Sequence, residues 1–237
     1  MNYQRKDFPP FALTVDIVVL TILDGKLRVV LIERAEDPFR GQWALPGGAV
    51  NPEEKLIEAA KRSLKEETNI VVSGRERLKQ FRSYYEPGRD PRVNTATTVY
   101  WTIINKLPET KGGGSAKKVK PMPVREVEGG RTKLAFDHKQ IIRDGVNQLR
   151  DGLEHTTVAT RFCPPTFTIS DLRGVYNVVW NTELDEGNFQ RKIKQSEGFL
   201  IPLEKRRDPS TSGRPPALWK AGPAKTVSPP LVRPTDS

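Results

Sequence analysis

The chain has 237 residues, 36% hydrophobic and 29% charged, and its 39 lysines and arginines outnumber 29 acidic residues to give a net charge of +10. That length allows one large domain or two modest ones, and the composition excludes a collagenous, wholly disordered or membrane-spanning chain. The single cysteine, Cys163, excludes an internal disulfide and a cysteine-built zinc cluster and points to a reducing cytoplasm.

The longest aliphatic run near the start, Ile17 to Leu23 broken by Thr21, falls far short of the ~20 apolar residues that span a bilayer. The polar, proline-broken opening has no signal-peptide core. The positive excess favours polyanions: nucleic acid, an anionic membrane surface or phosphate-bearing ligands.

Leu13, Val15, Ile17 and Val19 alternate with neighbours as in a strand, and Asp24-Gly25 predicts a hairpin turn into a second strand over 27–32. After a loop ending at Pro52, helical spacing of Leu56, Ala59, Ala60 and Leu64 predicts a helix over 53–67. Two apolar runs, 78–85 and 95–104, predict paired strands around the turn-rich 86–94. Residues 108–123, with Gly112-Gly113-Gly114-Ser115 and lysines 111, 117, 118 and 120, predict a flexible loop. A further helix is expected from Asp137 through Ile141, Ile142, Val146, Leu149 and Leu153.

Composition shifts at 154–165, which predicts an interdomain link. The expected organisation is an effector-binding domain over 1–155, a DNA-binding domain over 156–221 and a disordered, proline-rich tail over 222–237.

The strongest local pattern runs from Gly48 to Ile70. Gly48, Glu54, Arg62, Leu64, Glu66, Glu67 and Ile70 stand in the register of the Nudix box, which this segment resembles, and Trp43-Ala44-Leu45-Pro46-Gly47-Gly48 is similar to its lead-in. Positions 63, 66 and 67 share one helical face. Three carboxylates there would gather divalent cations, neutralise a diphosphate and activate water. Here the first is Ser63, a neutral hydroxyl, so no catalytic residue and no metal ligand set is expected, and at most weak magnesium binding. Asn69 replaces the closing glycine and suits a left-handed helix C-terminus.

What survives is a pocket for a phosphate-bearing ligand. Its candidate residues are Trp43, Arg62, Glu66, Glu67, Arg89 and Arg92. Arg89-Asp90-Pro91-Arg92 either offers guanidinium groups to phosphate or simply builds a turn. Trp43 either stacks on a base or packs. With only two histidines, His138 and His155, Asp137-His138 has no partner for a catalytic triad or a histidine metal site.

From Phe167 onward the pattern is that of a winged helix-turn-helix. Thr168 or Ser170 caps a helix carrying Leu172, Val175, Tyr176 and Val179. Residues 185–188 form a turn into a second helix over 189–196, with Phe189 and Ile193 inward. Asn188, Gln190 and Arg191 would reach base edges, whereas Lys192, Lys194 and the wing residues Arg206, Arg207 and Arg214 would meet phosphates. An RNA-binding or membrane-surface module is the alternative, the latter disfavoured by the lack of a broad apolar strip.

Together the two halves resemble the NrtR family of Nudix-related regulators of NAD metabolism. The supporting passages are Leu13-Thr14-Val15-Asp16, Arg89-Asp90-Pro91-Arg92, Leu134-Ala135-Phe136-Asp137-His138, Asn188-Phe189-Gln190-Arg191-Lys192-Ile193 and Gly213-Arg214-Pro215. The fold this implies is an α/β Nudix-like sandwich followed by a winged helix-turn-helix. The resemblance further implies a bacterial, cytoplasmic homodimer that represses NAD biosynthesis or salvage genes from a palindromic double-stranded operator. It implies ADP-ribose or a related nucleotide as effector, with no required cofactor. The competing readings are an active Nudix hydrolase cleaving ADP-ribose and a nucleotide-binding adaptor for protein partners. The segment 111–120 has no counterpart in the family pattern.

Overall fold

The computed structural model describes residues 10–74, 77–206 and 216–234, with the backbone alone for Lys205 and Arg206. Its strands are β1 (Phe11–Leu23), β2 (Lys26–Arg34), β3 (Trp43–Ala44), β4 (Gly47–Ala49), β5 (Lys79–Tyr84), β6 (Asn94–Ile103), β7 (Ala116–Pro123), β8 (Leu200–Arg206) and β9 (Ala217–Ala221). The α-helices are α1 (Leu56–Thr68), α2 (Val124–Glu128), α3 (His138–His155), α4 (Ile169–Trp180) and α5 (Glu186–Gln195). Two compact units result. One holds the residues up to Thr21 with Arg28–Gly145, and the other holds Ile22–Leu27 with the chain from Val146 onward. The division falls within α3.

The first unit is built on a mixed sheet ordered β3-β2-β1-β6-β5, with β4 paired to β1 and β7 to β2. β1 and β6 run parallel, from Phe11 beside Asn94 to Leu20 beside Ile103. Residues 15–20 of β1 are buried on both faces because each face is covered by a helix. Ala59, Ala60 and Leu64 of α1 pack with Val15, Ile17, Val19, Val30 and Tyr100 on one face. On the other, Gly145 of α3 sits so close to Val18 that a Cβ there would be 3.4 Å from the valine side chain.

Two expectations are corrected here. α1 starts at Leu56 rather than at residue 53, because Asn51 and Glu54 close a turn: the Glu54 N–H reaches the Asn51 carbonyl at 3.1 Å. Its C-terminus ends as expected, on Asn69 in the left-handed region (φ 61°) with its N–H on the Lys65 carbonyl. The expected flexible loop over 108–123 instead contains β7, which pairs with β2 from Arg28–Pro123 to Arg34–Ala116. Among the described residues β7 pairs only with β2, and its exposed Lys117, Lys118 and Lys120 suit such an edge. Lys117 and Lys118 both approach Glu33, at 3.6 and 3.3 Å.

In the second unit α3 ends at His155 and the chain enters a 3-10 turn over Thr157–Phe162 capped by Thr156. Thr168 caps α4: its hydroxyl accepts from the Asp171 N–H while the Asp171 carboxylate accepts from Thr168 N–H. Tyr176 lies in the core with Trp180 and Phe189 edge-on at 4.9 and 5.2 Å, and its hydroxyl donates to the Leu153 carbonyl. β8 and β9 form an antiparallel wing, extended by Phe167, which exchanges backbone hydrogen bonds with Trp219.

The expectation of a disordered tail from residue 222 is also corrected. Val227 and Leu231 are buried, and the segment lies against the end of α3 through Val227 N–H to His155 O and Leu231 N–H to Glu154 O. Thr157 adds its N–H to the Lys225 carbonyl and its hydroxyl to the Ala224 carbonyl, so buried side chains and hydrogen bonds together hold the proline-rich strap.

Candidate functional site

In the first unit the turn Leu45–Gly48 is held against β1 by its backbone: Ile17 N–H donates to the Pro46 carbonyl, and Gly47 stands opposite Asp16. A Cβ at Gly47 would overlap the Val15 carbonyl and Asp16 carboxylate, so the turn tolerates no side chain there. The Leu45 N–H donates to Nδ1 of the buried His138 at 2.9 Å. The ring proton therefore resides on Nε2, which faces Asp16 Oδ1 at 3.5 Å, and burial keeps the imidazole pKa below its usual value.

Arg89 is almost fully enclosed, with a side-chain exposure of 4%, and grips Asp137 with two hydrogen bonds of 2.9 and 2.7 Å. Asp16 lies 3.8 Å away. Asp137-His138, for which no triad or metal-site role was expected, is tied to β1, to the Leu45 turn and to the β5–β6 connection. Arg92 closes on Asp90 at 3.0 and 2.8 Å, and this pairing holds the Asp90 carboxyl below the ordinary range.

On α1 the candidate residues point two ways. Arg62 faces outward, paired bidentately with Glu54 at 2.8 Å, with Glu66 at 3.2 Å and with the Ala49 carbonyl. The Arg62 hydrogen bonds hold Glu54 down to about 2. Glu67 faces inward and accepts from the Gly47 N–H at 2.9 Å and from the Ser115 hydroxyl. Burial pushes its pKa up to about 7, against the pull of those two hydrogen bonds. Ser63 is buried beneath Gly48, and its hydroxyl has no hydrogen-bond partner among the described residues.

Trp43 is half-buried, and its backbone makes a ladder with the segment before α3: Trp43 N–H to Lys133 O and Ala135 N–H to Trp43 O. That ladder presents Phe136, whose backbone is left-handed at φ 52°, under the Arg34 guanidinium at 4.9 Å and edge-on to Phe39 at 4.8 Å. Burial and the nearby Arg92 lower the Arg34 pKa.

In the second unit α5 begins at Glu186, three residues before the expected start, because Asp185 caps it by accepting the Asn188 N–H at 2.7 Å. Arg173 of α4 locks the connection through the Leu184 carbonyl and Glu186, both at 3.0 Å. Phe189 and Ile193 are buried; Asn188, Gln190, Arg191 and Lys194 are exposed and Lys192 half-exposed. The Arg191 guanidinium rests on Asn188 Oδ1 at 2.9 Å. Of the wing candidates, Arg207 and Arg214 lie outside the described residues, as does the side chain of Arg206.

Comparison with known proteins agrees with this two-part architecture. The NUDIX domain matches residues 12–145, more than half of the chain, and the NrtR DNA-binding winged helix domain matches residues 159–221. The chain belongs to the NrtR family. It is 28% identical over 197 residues to the "ADPR responsive transcriptional repressor NtrR" of Acinetobacter baylyi, covering 82% of this chain and 77% of that one. Shewanella oneidensis NrtR complexed with a 27mer DNA superposes with a TM-score of 0.77 at 27% identity, over 93% of this chain and 99% of the other. The NUDIX domain of the same NrtR complexed with ADP ribose gives 0.56 at 32% identity, over 62% and 94%. The α/β Nudix sandwich and the winged helix-turn-helix are therefore both present.

Relative to the sequence reading of this NrtR-family chain, the structure adds Asp16, Arg34, Phe39, Ser115, Phe136 and His138 around the same turn. Asp16, Phe136 and His138 lay within passages that carried the family resemblance. Arg34, Phe39 and Ser115 carried no local signal.

Proposed function

We propose that this chain is a bacterial transcriptional repressor of NAD biosynthesis or salvage genes whose DNA affinity falls when ADP-ribose or a related nucleotide occupies the Nudix-like domain. The observation that carries this reading is the joining of two units in one chain. One holds a cluster of mutually paired polar side chains at the Nudix turn. The other holds a helix-turn-helix whose second helix exposes Asn188, Gln190, Arg191 and Lys194. The A. baylyi relative, described as ADPR-responsive, and the Shewanella complexes with DNA and with ADP ribose support it.

In this reading the domain over 1–155 senses and the domain over 156–221 binds DNA. Asn188, Gln190 and Arg191 read base edges, and Lys192, Lys194, Arg206, Arg207 and Arg214 meet phosphates. Trp43, Arg62, Glu66, Glu67, Arg89 and Arg92 form or support the nucleotide pocket. A homodimer on a palindromic operator in the cytoplasm gives the specificity that one module contacting a few base pairs lacks.

The pocket holds its nucleotide without hydrolysing it. Tested for fit, the face where the family's divalent cation would sit presents a neutral buried Ser63, a Glu66 paired to Arg62 and a Glu67 with both oxygens engaged. These residues do not fit the cation.

Ligand can act on DNA only through a preference for one arrangement of the protein over another. A coupling of about 1–3 kcal/mol would weaken operator binding roughly 5–150-fold, and DNA would weaken ADP-ribose binding by the same factor. Titrating labelled upstream duplex with purified protein, with and without ADP-ribose, tests this. Equal affinities would remove ADP-ribose as the signal, and magnesium-dependent release of AMP at ~10 per second would favour the hydrolase instead.

A further inference from the structure

The segment rich in glycine and lysine that the family pattern does not account for packs onto the end of the carboxylate helix. The Lys111 N–H donates to the Thr68 carbonyl at 3.2 Å, and on the other side the Ala35 N–H donates to the Ser115 carbonyl at 2.9 Å. Between these two anchors Gly113 lies directly on the Glu66 carbonyl: a Cβ there would be 2.5 Å from that oxygen, closer than any side chain tolerates. Gly114 continues beside the Glu67 side chain, with a Cβ position 3.8 Å from Cγ. The turn closes through Ala116 N–H to Gly113 O and feeds directly into β7. Gly113 is thus required by close approach and Gly114 by its left-handed backbone (φ 55°), and what they deliver is the Ser115 hydroxyl onto Glu67 Oε1.

From this geometry we infer that Ser115 is an internal ligand of Glu67, carried by the 111–115 segment into the place a divalent cation would take on the carboxylate helix. This deepens the reading of the pocket as one that holds rather than hydrolyses. A hard cation takes about six oxygen ligands, and a protein holds it through at least one or two carboxylates whose lone pairs are free to reach it. Here Glu67 Oε2 is spent on the Gly47 N–H, Oε1 on Ser115, and Glu66 and Glu54 on Arg62. Among the described residues no three Asp, Glu, His or Cys side chains group as a metal would require. The Ser115 hydroxyl ties the start of β7 to Glu67 near the end of α1, and the other Glu67 oxygen holds the Nudix turn at the Gly47 N–H, so the Glu67 side chain is fixed without a metal ion. It is a positioning residue, not a catalytic one.

The test uses the full chain and Mn²⁺ alone, so it is decided whether or not ADP-ribose is the effector. Wild type binds Mn²⁺ weakly by calorimetry or by the loss of the free-ion paramagnetic signal. Ser115→Ala frees Oε1 and strengthens binding by about tenfold or more, the scale on which outer-shell partners tune metal sites. Gly113→Ala, whose Cβ lifts the segment off Glu66, shifts affinity in the same direction. Adding Glu67→Gln to Ser115→Ala abolishes the gain. A second measurement compares melting temperatures at one fixed Mn²⁺ concentration: the metal raises that of Ser115→Ala by more than that of wild type. The inference is overturned by an equal or larger metal-dependent rise in wild type, or by a folded Ser115→Ala that binds Mn²⁺ no better than wild type.

Discussion

The polar residues around the Nudix turn and those of α5 are used in opposite ways. Near the turn, cations and carboxylates are consumed by one another: Arg89 by Asp137, Arg92 by Asp90, Arg62 by Glu54 and Glu66, Glu67 by Gly47 and Ser115. On α5, among the described residues, the only side-chain partner of an outward cation is Asn188, which accepts from Arg191. The first region is a pre-arranged socket in which each charge already has its geometry. The second is a solvated cationic face of the kind that suits a polyanion. Removing a charge from the socket therefore costs folding energy, whereas removing one from α5 costs affinity.

The largest effect is expected at Arg89. Its guanidinium is enclosed and doubly bonded to Asp137 with Asp16 nearby, so Arg89→Ala leaves two poorly solvated carboxylates without their cation. Such losses cost about 3–5 kcal/mol. Arg89→Lys restores the charge but not the two-pronged geometry and should recover only part of it. Urea denaturation measures both. A loss under about 1 kcal/mol would put this pair with ordinary surface ion pairs and break the contrast with α5.

The next effect is a pH dependence at Glu67. Its carboxyl titrates near 4.5 ordinarily and at about 7 in the fold, so the folded state holds the extra proton between those values. Stability therefore falls as pH rises from about 4.5 to 7 and levels off above, by at most about 3 kcal/mol. Glu67→Gln keeps an acceptor for Gly47 and an amide for Ser115 but has no proton to lose, so its stability should not fall with wild type across that interval. Parallel wild-type and variant curves from pH 4.5 to 8 would show that Glu67 stays ionised throughout.

How much of this was legible in the sequence follows the range of each interaction. α1 was readable because its apolar residues repeat at helical spacing, and its C-terminus because Asn69 sits where a left-handed residue is needed. α4 was readable from Thr168 and the Leu172–Val179 periodicity. The starts of α1 and α5 were each misplaced by three residues, because a turn closed by Asn51 and Glu54 and a cap made by Asp185 compete with apolar periodicity. β7 read as a loop because glycine and lysine dominate locally, whereas its pairing with β2 spans some ninety residues, as the 93-residue reach of Arg28 to the Pro121 carbonyl illustrates. The Ser115–Glu67 contact joins residues 48 apart. The strap through Val227 and Leu231 is invisible for the same reason: its partner, the end of α3, carries no matching local pattern.

The smallest effects should come from α5, read as DNA affinity rather than stability, and the two kinds of residue should separate. Arg191 lies midway along α5 on its exposed face, braced by Asn188, so Arg191→Ala should lose about 1–3 kcal/mol of discrimination between operator and random duplex. Lys194 lies further along and is exposed, a position suited to phosphate. Lys194→Ala should weaken operator and random duplex alike and lower the slope of log affinity against log salt by about one unit. Both variants should unfold at the wild-type urea concentration, since neither side chain supports the Phe189–Ile193 core face. If Lys194→Ala altered sequence preference while leaving the salt slope unchanged, that residue would belong to the base-reading set and the helix would lie deeper in the groove than its cap and apolar face suggest.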